Sequence, residues 1–324
     1  MLKLKYLYEN YDLALFAISK WKEDLEGTEE LLKYFRISSN AVYPFMMDGK
    51  VRYIRLAPVE EKLLQNLFGE IEFIQYIRSK GYNALEPVLS LDGNYIEIID
   101  TKWGKYYANV FEKVLGEQLE DIELNNDLVY GYGKSLGLLH RLSKDFSPKT
   151  KKWSFEEALN WIAQELSSRP GQERALKELE SIRLLLAKLP RDNSNYGLVH
   201  YDFEPDNVFY NEKDNSFGVI DFEDGMYHWF ALDIEQALSC LSELKNGEGF
   251  ETVKEAFLRG YKSQFAIAQD MINNLPLFRR FINLYSYTRI TRSIEEQVMD
   301  EPDWMINIRH KLSNKIEAIA VTWI

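Results

Sequence analysis

One cysteine, Cys240, stands alone in 324 residues, so no internal disulfide can form. It falls in the apolar helical pattern EQALSCLSEL, where a buried core thiol and a reducing compartment are expected. Histidine is nearly as scarce. The four, at 140, 200, 228 and 310, include no pair at the spacing of a zinc-binding helix, so any metal is expected on oxygen ligands. No apolar run approaches the ~18 residues that cross a bilayer, and MLKLKYLYEN lacks the apolar stretch of a secretory signal. A cytoplasmic protein with no membrane partner is expected. Basic residues are outnumbered, 39 against 51 acidic, for a net charge of −12. That balance argues against nucleic acid or anionic lipid as the main partner and favours a neutral or cationic one. With 46% hydrophobic and 14% aromatic residues, the chain is long enough for about two domains and a sizeable core.

No repeat, low-complexity tract or proline-rich linker divides the sequence, so its organisation is read from periodicity. A helix is expected near 8 to 25 and a short one near 28 to 35. AVYPFMMDGKVRYIRLAP then reads as two strands around Asp48-Gly49, a dipeptide suited to a tight hairpin turn. KLLQNLFGEIEFIQYIRSKG carries a helical apolar stripe and stops at Gly81. Two further strands are expected at 94 to 99 and 105 to 114. Beyond Leu115 the pattern is mainly helical, near 125 to 143, 154 to 167, 171 to 189, 230 to 244, 250 to 268, 276 to 298 and 303 to 320. One β interruption, 196 to 224, holds the strands NVFY and FGVID. This segregation predicts the α+β class, with a small antiparallel-sheet lobe over 1–114, a larger helical lobe over 115–324, and a cleft near Glu112 to Gly116.

The β interruption carries the chemistry. His200-x-Asp202-x-x-x-x-Asn207 is followed by Val219-Ile220-Asp221-Phe222. Phosphoryl transfer needs a carboxylate that orients and deprotonates the attacking hydroxyl, together with oxygen ligands for Mg²⁺ on the phosphates. Asp202 and Asn207, five positions apart on one loop, can face one cleft from two sides. Asp221, at the end of the returning strand, completes a metal site. Each residue alone would pass for a cap or turn residue, since Asp and Asn favour such positions. Their combination makes phosphoryl transfer the working reading.

LVHYDFEPDNVFY and GVIDFEDGMYHWFALDIEQAL resemble the catalytic core of the aminoglycoside phosphotransferases and choline or homoserine kinases, relatives of protein kinases. The resemblance runs over nearly the whole chain: YIRLAP resembles the third strand, GEIEFIQYI the helix behind it, NVFEKVLGEQL the hinge, and YGYGKSLGLLHRLS the first long helix of the second lobe. It implies a bilobal protein kinase-like fold. Asp202 would be the catalytic base, and Asn207 and Asp221 the Mg²⁺ ligands. Arg55 would stand in the place of the phosphate-binding lysine, with Glu70 as its helix partner. The Glu112 carbonyl and Val114 amide would meet the nucleotide base, and Asp233 would brace the catalytic loop. Three departures are visible. Tyr201 stands where the family has glycine, Arg55 replaces lysine, and no G-x-G-x-x-G loop covers the phosphates. In its place the turn FRISSNAVY offers Ser38, Ser39 and Asn40 to the triphosphate.

Other features read as structural. Gly131-Tyr132-Gly133-Lys134-Ser135 imitates the end of a P-loop, but Leu128 falls where its first glycine should be, and the segment is helical. His140-Arg141-Leu142 is expected to pack a helix, and His228-Trp229-Phe230 to form a packed turn. His200 is expected to be a hydrogen-bonded strut. Glu204, Glu223 and Asp224 flank the site, either contacting a substrate amine or lying in solvent. The leading reading is an enzyme that transfers the γ-phosphoryl of MgATP, or of GTP, to the hydroxyl of a small molecule. A pseudokinase that binds nucleotide, or nothing, and works as an interaction module, and a metal-dependent hydrolase are the alternatives. Residues 1–114 hold 15 basic and 17 acidic side chains, and residues 115–324 hold 24 and 34, so the acidity belongs to the second part and favours a cationic acceptor. Acceptor identity and oligomeric state are not written in the sequence.

Overall fold

A computed structural model describes residues 1–244, 249–297 and 300–323. In chain order its elements are α1 (Tyr11–Ile18), α2 (Leu25–Leu31), β1 (Arg36–Ile37), β2 (Ala41–Met47), β3 (Lys50–Pro58), α3 (Leu64–Ser79), β4 (Pro87–Val88), β5 (Glu97–Thr101) and β6 (Gly104–Glu112). There follow β7 (Glu117–Gln118), α4 (Asn126–Lys144), α5 (Phe155–Ser167), α6 (Glu173–Leu186), β8 (Tyr196–Leu198), β9 (Val208–Asn211), β10 (Ser216–Val219) and β11 (Tyr227–Trp229). The chain closes with α7 (Ala231–Leu244), α8 (Phe250–Lys262), α9 (Gln269–Asn273), α10 (Leu275–Ile294) and α11 (Asp303–Ala320). The antiparallel sheet is therefore N-terminal and the helices dominate the C-terminal part, as the α+β reading expects. Among the described residues no helix is long and apolar enough to cross a membrane.

The sheet runs β1-β2-β3-β6-β4, with β5 also paired to β6. Asp48 and Gly49 both take positive φ, 51° and 70°, and so form the two-residue turn whose twist suits a β2–β3 hairpin. Alternation along β3 then decides which side chains face the cleft. Ile54 and Leu56 point into a core with Leu13, Ile18, Trp21, Phe45 and Val110, which packs α1 beneath the sheet. Tyr53 and Arg55 point to the other face. A larger core joins α3 to the helices of the C-terminal part.

Several expectations are corrected. The first two helices are shorter than expected, and Gly27, at φ 83°, kinks the second. The strand expected at 94 to 99 begins at Glu97. Residues 227–229 are strand β11, paired antiparallel with β8, where a turn was expected. The end of the 276 to 298 helix, Val298, lies outside the described residues. Cys240 is half-buried on α7, outside the core. The P-loop imitation lies within α4, where Gly133, with Gly137 one turn on, serves a helix crossing. A Cβ on Gly133 would lie 2.1 Å from the Phe257 carbonyl oxygen, and one on Gly137 2.4 Å from that of Tyr261. Gly260 answers from α8, where a Cβ would come within 2.0 Å of the Tyr130 carbonyl.

Candidate active site

The loop after β8 is shaped by one buried carboxylate. Asp233, near the start of α7, accepts the backbone N–H groups of His200 at 2.7 Å and Tyr201 at 2.8 Å, and pairs with His140 Nε2 at 3.0 Å. His140 meets the Tyr261 hydroxyl at 2.9 Å through Nδ1 and stacks on Phe230. It therefore belongs to the brace beneath the loop and does more than pack a helix. His200 is a strut, as expected. Its Nε2–H donates to the Ile220 carbonyl at 2.9 Å, and its Nδ1 accepts the Asp202 N–H at 3.2 Å. Burial pushes this imidazole down to about 4, which keeps it neutral in that tautomer.

These restraints bring the sequence-predicted residues together. Asn207 ends a short 3₁₀ turn and donates through Nδ2 to the Asp202 carbonyl and to Asp202 Oδ2, both at 3.0 Å. The Ile220 N–H donates to the Asn207 carbonyl at 3.0 Å, which sets Asp221 beside this pair. Asp221 holds φ 63°, a left-handed conformation that turns its side chain off the end of β10. Tyr201 has φ 70°, so a glycine-like backbone is present at the position where the resemblance expects glycine. Its ring meets Tyr285 edge-on at 5.3 Å.

Opposite this loop, Arg55 donates to both Glu70 oxygens, at 2.9 and 2.5 Å, while its Nε donates to Asn109 Oδ1 at 3.1 Å. The Arg55 side chain is 8% exposed and that of Glu70 0%, so the pair is desolvated. Arg55 also lies 3.5 Å from Glu223. Asp202, Asn207, Asp221 and Arg55 line one cleft of about 310 Å³ with Ser39, Asn40, Glu112 and Val114. Eight of the expected site residues thus border one cavity, and Glu70 lies behind it on Arg55.

The electrostatics divide by partner. Burial raises Asp202, and the nearby carboxylates of Glu204, Asp221 and Asp224 raise it further. Burial and Glu223 push Asp221 up to about 6, against the pull of Arg55. Glu223 and Asp224 are neither solvated nor free for a substrate amine. Lys62, Arg55 and Asn40 engage Glu223, and Arg289 holds Asp224 at 2.7 Å. These cations outweigh burial and hold both carboxyls below their usual range. Glu204 accepts from Gln236 at 2.7 Å. The Ser39 hydroxyl accepts from Arg289 at 3.2 Å, and Asn40 donates to Glu223, so both side chains are anchored to groups at the cleft edge. Lys62, His140, Lys152 and Arg289 escaped the sequence reading, because isolated basic residues in helices and loops carry no spacing signal.

A family profile of phosphotransferase enzymes matches residues 36–270, which takes in the β2–β3 hairpin, the Arg55–Glu70 pair and the whole loop from His200 to Asn207. The chain belongs to the phosphotransferase enzyme family. Within it, the amicoumacin kinase of Bacillus subtilis is 26% identical over 216 residues, covering 64% of this chain and 62% of that protein. The chain thus matches about three-fifths of that relative's length. A homoserine kinase of Agrobacterium fabrum is 28% identical over 281 residues, covering 86% of this chain and 81% of its own. Among solved structures, an amicoumacin kinase in complex with AMP-PNP and Ca²⁺ superposes with a TM-score of 0.77 at 21% identity, over 97% of this chain and 95% of that one. A microcompartment-associated aminopropanol kinase gives 0.72 at 16% identity, over 96% of both. The fold of this family member is that of these kinases.

Proposed function

We propose that this phosphotransferase is a small-molecule kinase that moves the γ-phosphoryl of ATP to an acceptor hydroxyl. The observation that carries the reading is the placement of Asp202, Asn207 and Asp221 in one cleft facing the Arg55–Glu70 pair. Asp202 orients the hydroxyl and takes its proton, and the raised affinity of its buried carboxyl for protons suits that role. Asn207 and Asp221 are a donor set that fits Mg²⁺. One amide and one carboxylate leave room for water and phosphate oxygens, and among the described residues no cluster of three acidic or thiol/imidazole ligands competes. The buried carboxyls of Asp202 and Asp221, raised although Arg289 and Arg55 pull against burial, would also suit a divalent cation. Since Nδ2 of Asn207 is engaged by Asp202, Oδ1 is the atom offered to the metal. Bound Mg²⁺ would neutralise charge on the transferring phosphoryl group.

Arg55, fixed by Glu70, grips phosphate with its planar fork. The Glu112 carbonyl and Val114 amide receive the base, and the 38–40 turn closes over the phosphates. GTP is the alternative donor. In this reading residues 1–114 form the nucleotide lobe and residues 115–324 the catalytic and acceptor lobe, and the protein is cytoplasmic.

Beside the nucleotide cleft lies a second cavity of about 540 Å³, lined by Trp153, Trp161, Tyr285, Glu157 and Glu165 among others, with the Asp224 carboxylate in its wall already paired to Arg289. Arg289 lines it and reaches Ser39 at the edge of the first cavity, so the two adjoin. We assign the acceptor to this second cavity. Aromatic walls with carboxylates suit an amine-bearing hydroxyl compound. Homoserine and aminopropanol, the compounds named in two of the similar proteins, each carry an amine and a hydroxyl. The test is an ATP-consumption screen over amino alcohols, aminoglycosides, amino acids and sugars, with Asp202→Asn as the blank. A phosphorylated acceptor is expected from the wild type only. Free phosphate without such a product would identify a hydrolase, and a flat thermal shift at millimolar MgATP would identify a pseudokinase.

A further inference from the structure

The segment between α4 and α5 is tied to the site from behind. Glu72 of α3 accepts the backbone N–H groups of Lys149 at 2.7 Å and Thr150 at 2.9 Å, and Asn66 Oδ1 accepts that of Trp153 at 3.1 Å. Between these anchors, a Cβ on Gly69 would lie 2.6 Å from Lys152 Cγ and 2.8 Å from the Thr150 carbonyl, so glycine permits the close approach. Gly69 directly precedes Glu70. Lys152 itself is only 2% exposed. Its Nζ donates to the carbonyls of Phe222 at 2.8 Å and Glu223 at 2.6 Å, the two residues after Asp221. Among the described residues no carboxylate oxygen forms an ion pair with Nζ within 4.0 Å. A buried ammonium is costly to desolvate, and although the nearby charges of Glu70, Glu223 and Asp224 offset part of that cost, both of its hydrogen bonds go to loop carbonyls, which calls for a reason beyond packing.

We propose that residues 149–153 are a strap and that Lys152 is a positioning residue, fixing the Asp221 loop at a set distance from the helix that carries Glu70. Lys152 holds two consecutive carbonyls and thereby sets the direction of the Asp221 side chain, whose left-handed backbone needs outside support. This rests on the reading that Asp221 binds the metal. Residues that orient a metal ligand commonly change metal affinity about 10- to 100-fold when lost.

Lys152→Met keeps the stem against Gly69 and removes the ammonium. Its expected effect is about a tenfold weaker affinity for Mn²⁺ in the complex with a non-hydrolysable ATP analogue, measured by electron paramagnetic resonance, and faster amide exchange over 222–225. Nucleotide affinity without metal should stay within about twofold. Lys152→Gln, which can still donate to one carbonyl, should lie between. Mn²⁺ affinity equal to wild type in folded Lys152→Met overturns the proposal, as does failure of both variants to fold, which would assign Lys152 to packing alone. A wild-type protein that binds no Mn²⁺ with nucleotide would instead overturn the metal assignment of Asp221, and Asp221→Ala is the control for that outcome.

Discussion

Replacing Asp233 with asparagine should dismantle the loop that carries Asp202 although the side chain keeps its shape. The carboxylate has three partners: Oδ2 serves the His200 N–H and His140, and Oδ1 serves the Tyr201 N–H. An amide has one acceptor oxygen. If that oxygen takes the place of Oδ2, the NH₂ group faces the Tyr201 N–H. If it takes the place of Oδ1, the NH₂ group faces the His200 N–H. Either way two donors meet and a buried backbone N–H is orphaned. A hydrogen bond to a charged group contributes about 1.5–3 kcal/mol, and an orphaned buried donor costs about 1–3 kcal/mol. The substitution should therefore cost about 3–5 kcal/mol, comparable to breaking one side of a buried ion pair. Urea unfolding monitored by tryptophan fluorescence reads the loss, and phosphoryl transfer in the folded fraction should fall steeply because Asp202 follows directly on the two amides that Asp233 holds, one of which is released. A loss under about 1 kcal/mol with turnover within twofold of wild type would refute the idea that Asp233 holds the loop.

Gly133→Ala should destabilise the protein. A Cβ 2.1 Å from a backbone carbonyl forces α8 outward by about 1 Å, and overpacking of this kind costs about 1–3 kcal/mol, more than the roughly 1 kcal/mol gained in helix propensity. Thermal melting of the variant checks this, and a raised melting temperature would contradict the close crossing. Tyr201→Gly relieves a left-handed backbone worth about 1–2 kcal/mol but removes a buried ring worth about 3–5 kcal/mol, so a net loss of about 2–3 kcal/mol is expected by urea titration. His228 is buried, its Nδ1 accepts the Trp229 N–H at 2.9 Å, and its Nε2 has no partner; burial pushes it down to about 3. The unfolded chain takes up a proton on this histidine below about pH 6.5 while the folded chain does not, so its contribution to stability falls as pH falls, by about 1.4 kcal/mol per unit. The stability gap between wild type and His228→Gln should therefore shift by about 2 kcal/mol in favour of the variant from pH 6.5 to 5, and a pH-independent gap would show that His228 titrates normally.

What the sequence disclosed follows from the range over which each signal acts. The hairpin at Asp48-Gly49 and the amphipathic α3 are local, because turn geometry and an apolar stripe are settled within a few residues. Asp202, Asn207 and Asp221 were legible because the phosphoryl-transfer reading asks for those residue types on one loop and at the end of the strand that returns to it, so their spacing is itself a signal. Short strands such as β4, β7 and β8 escaped notice, since two or three residues have no periodicity and their pairing is decided by distant partners. The same reason hid the second rank of the site. His140 lies 93 residues from Asp233, and Lys152 reaches carbonyls 70 and 71 residues away. Backbone carbonyls have no side-chain identity, so a lysine that serves them leaves no partner in the sequence to find. Glu223 and Asp224 were misjudged in the opposite direction. Their place beside the motif left them either contacting a substrate amine or lying in solvent, whereas Lys62, Arg55 and Arg289, brought in from three separate parts of the chain, already neutralise them. The acidic excess of residues 115–324 therefore says less about the acceptor than the carboxylates left facing the second cavity, Glu157 and Glu165. Both are shared: Glu157 accepts the Ser154 N–H, and Glu165 pairs with Arg169 at 2.8 Å. An amine entering there would compete with existing partners, which favours acceptors that also stack on Trp153, Trp161 or Tyr285 over small, bare ammonium compounds.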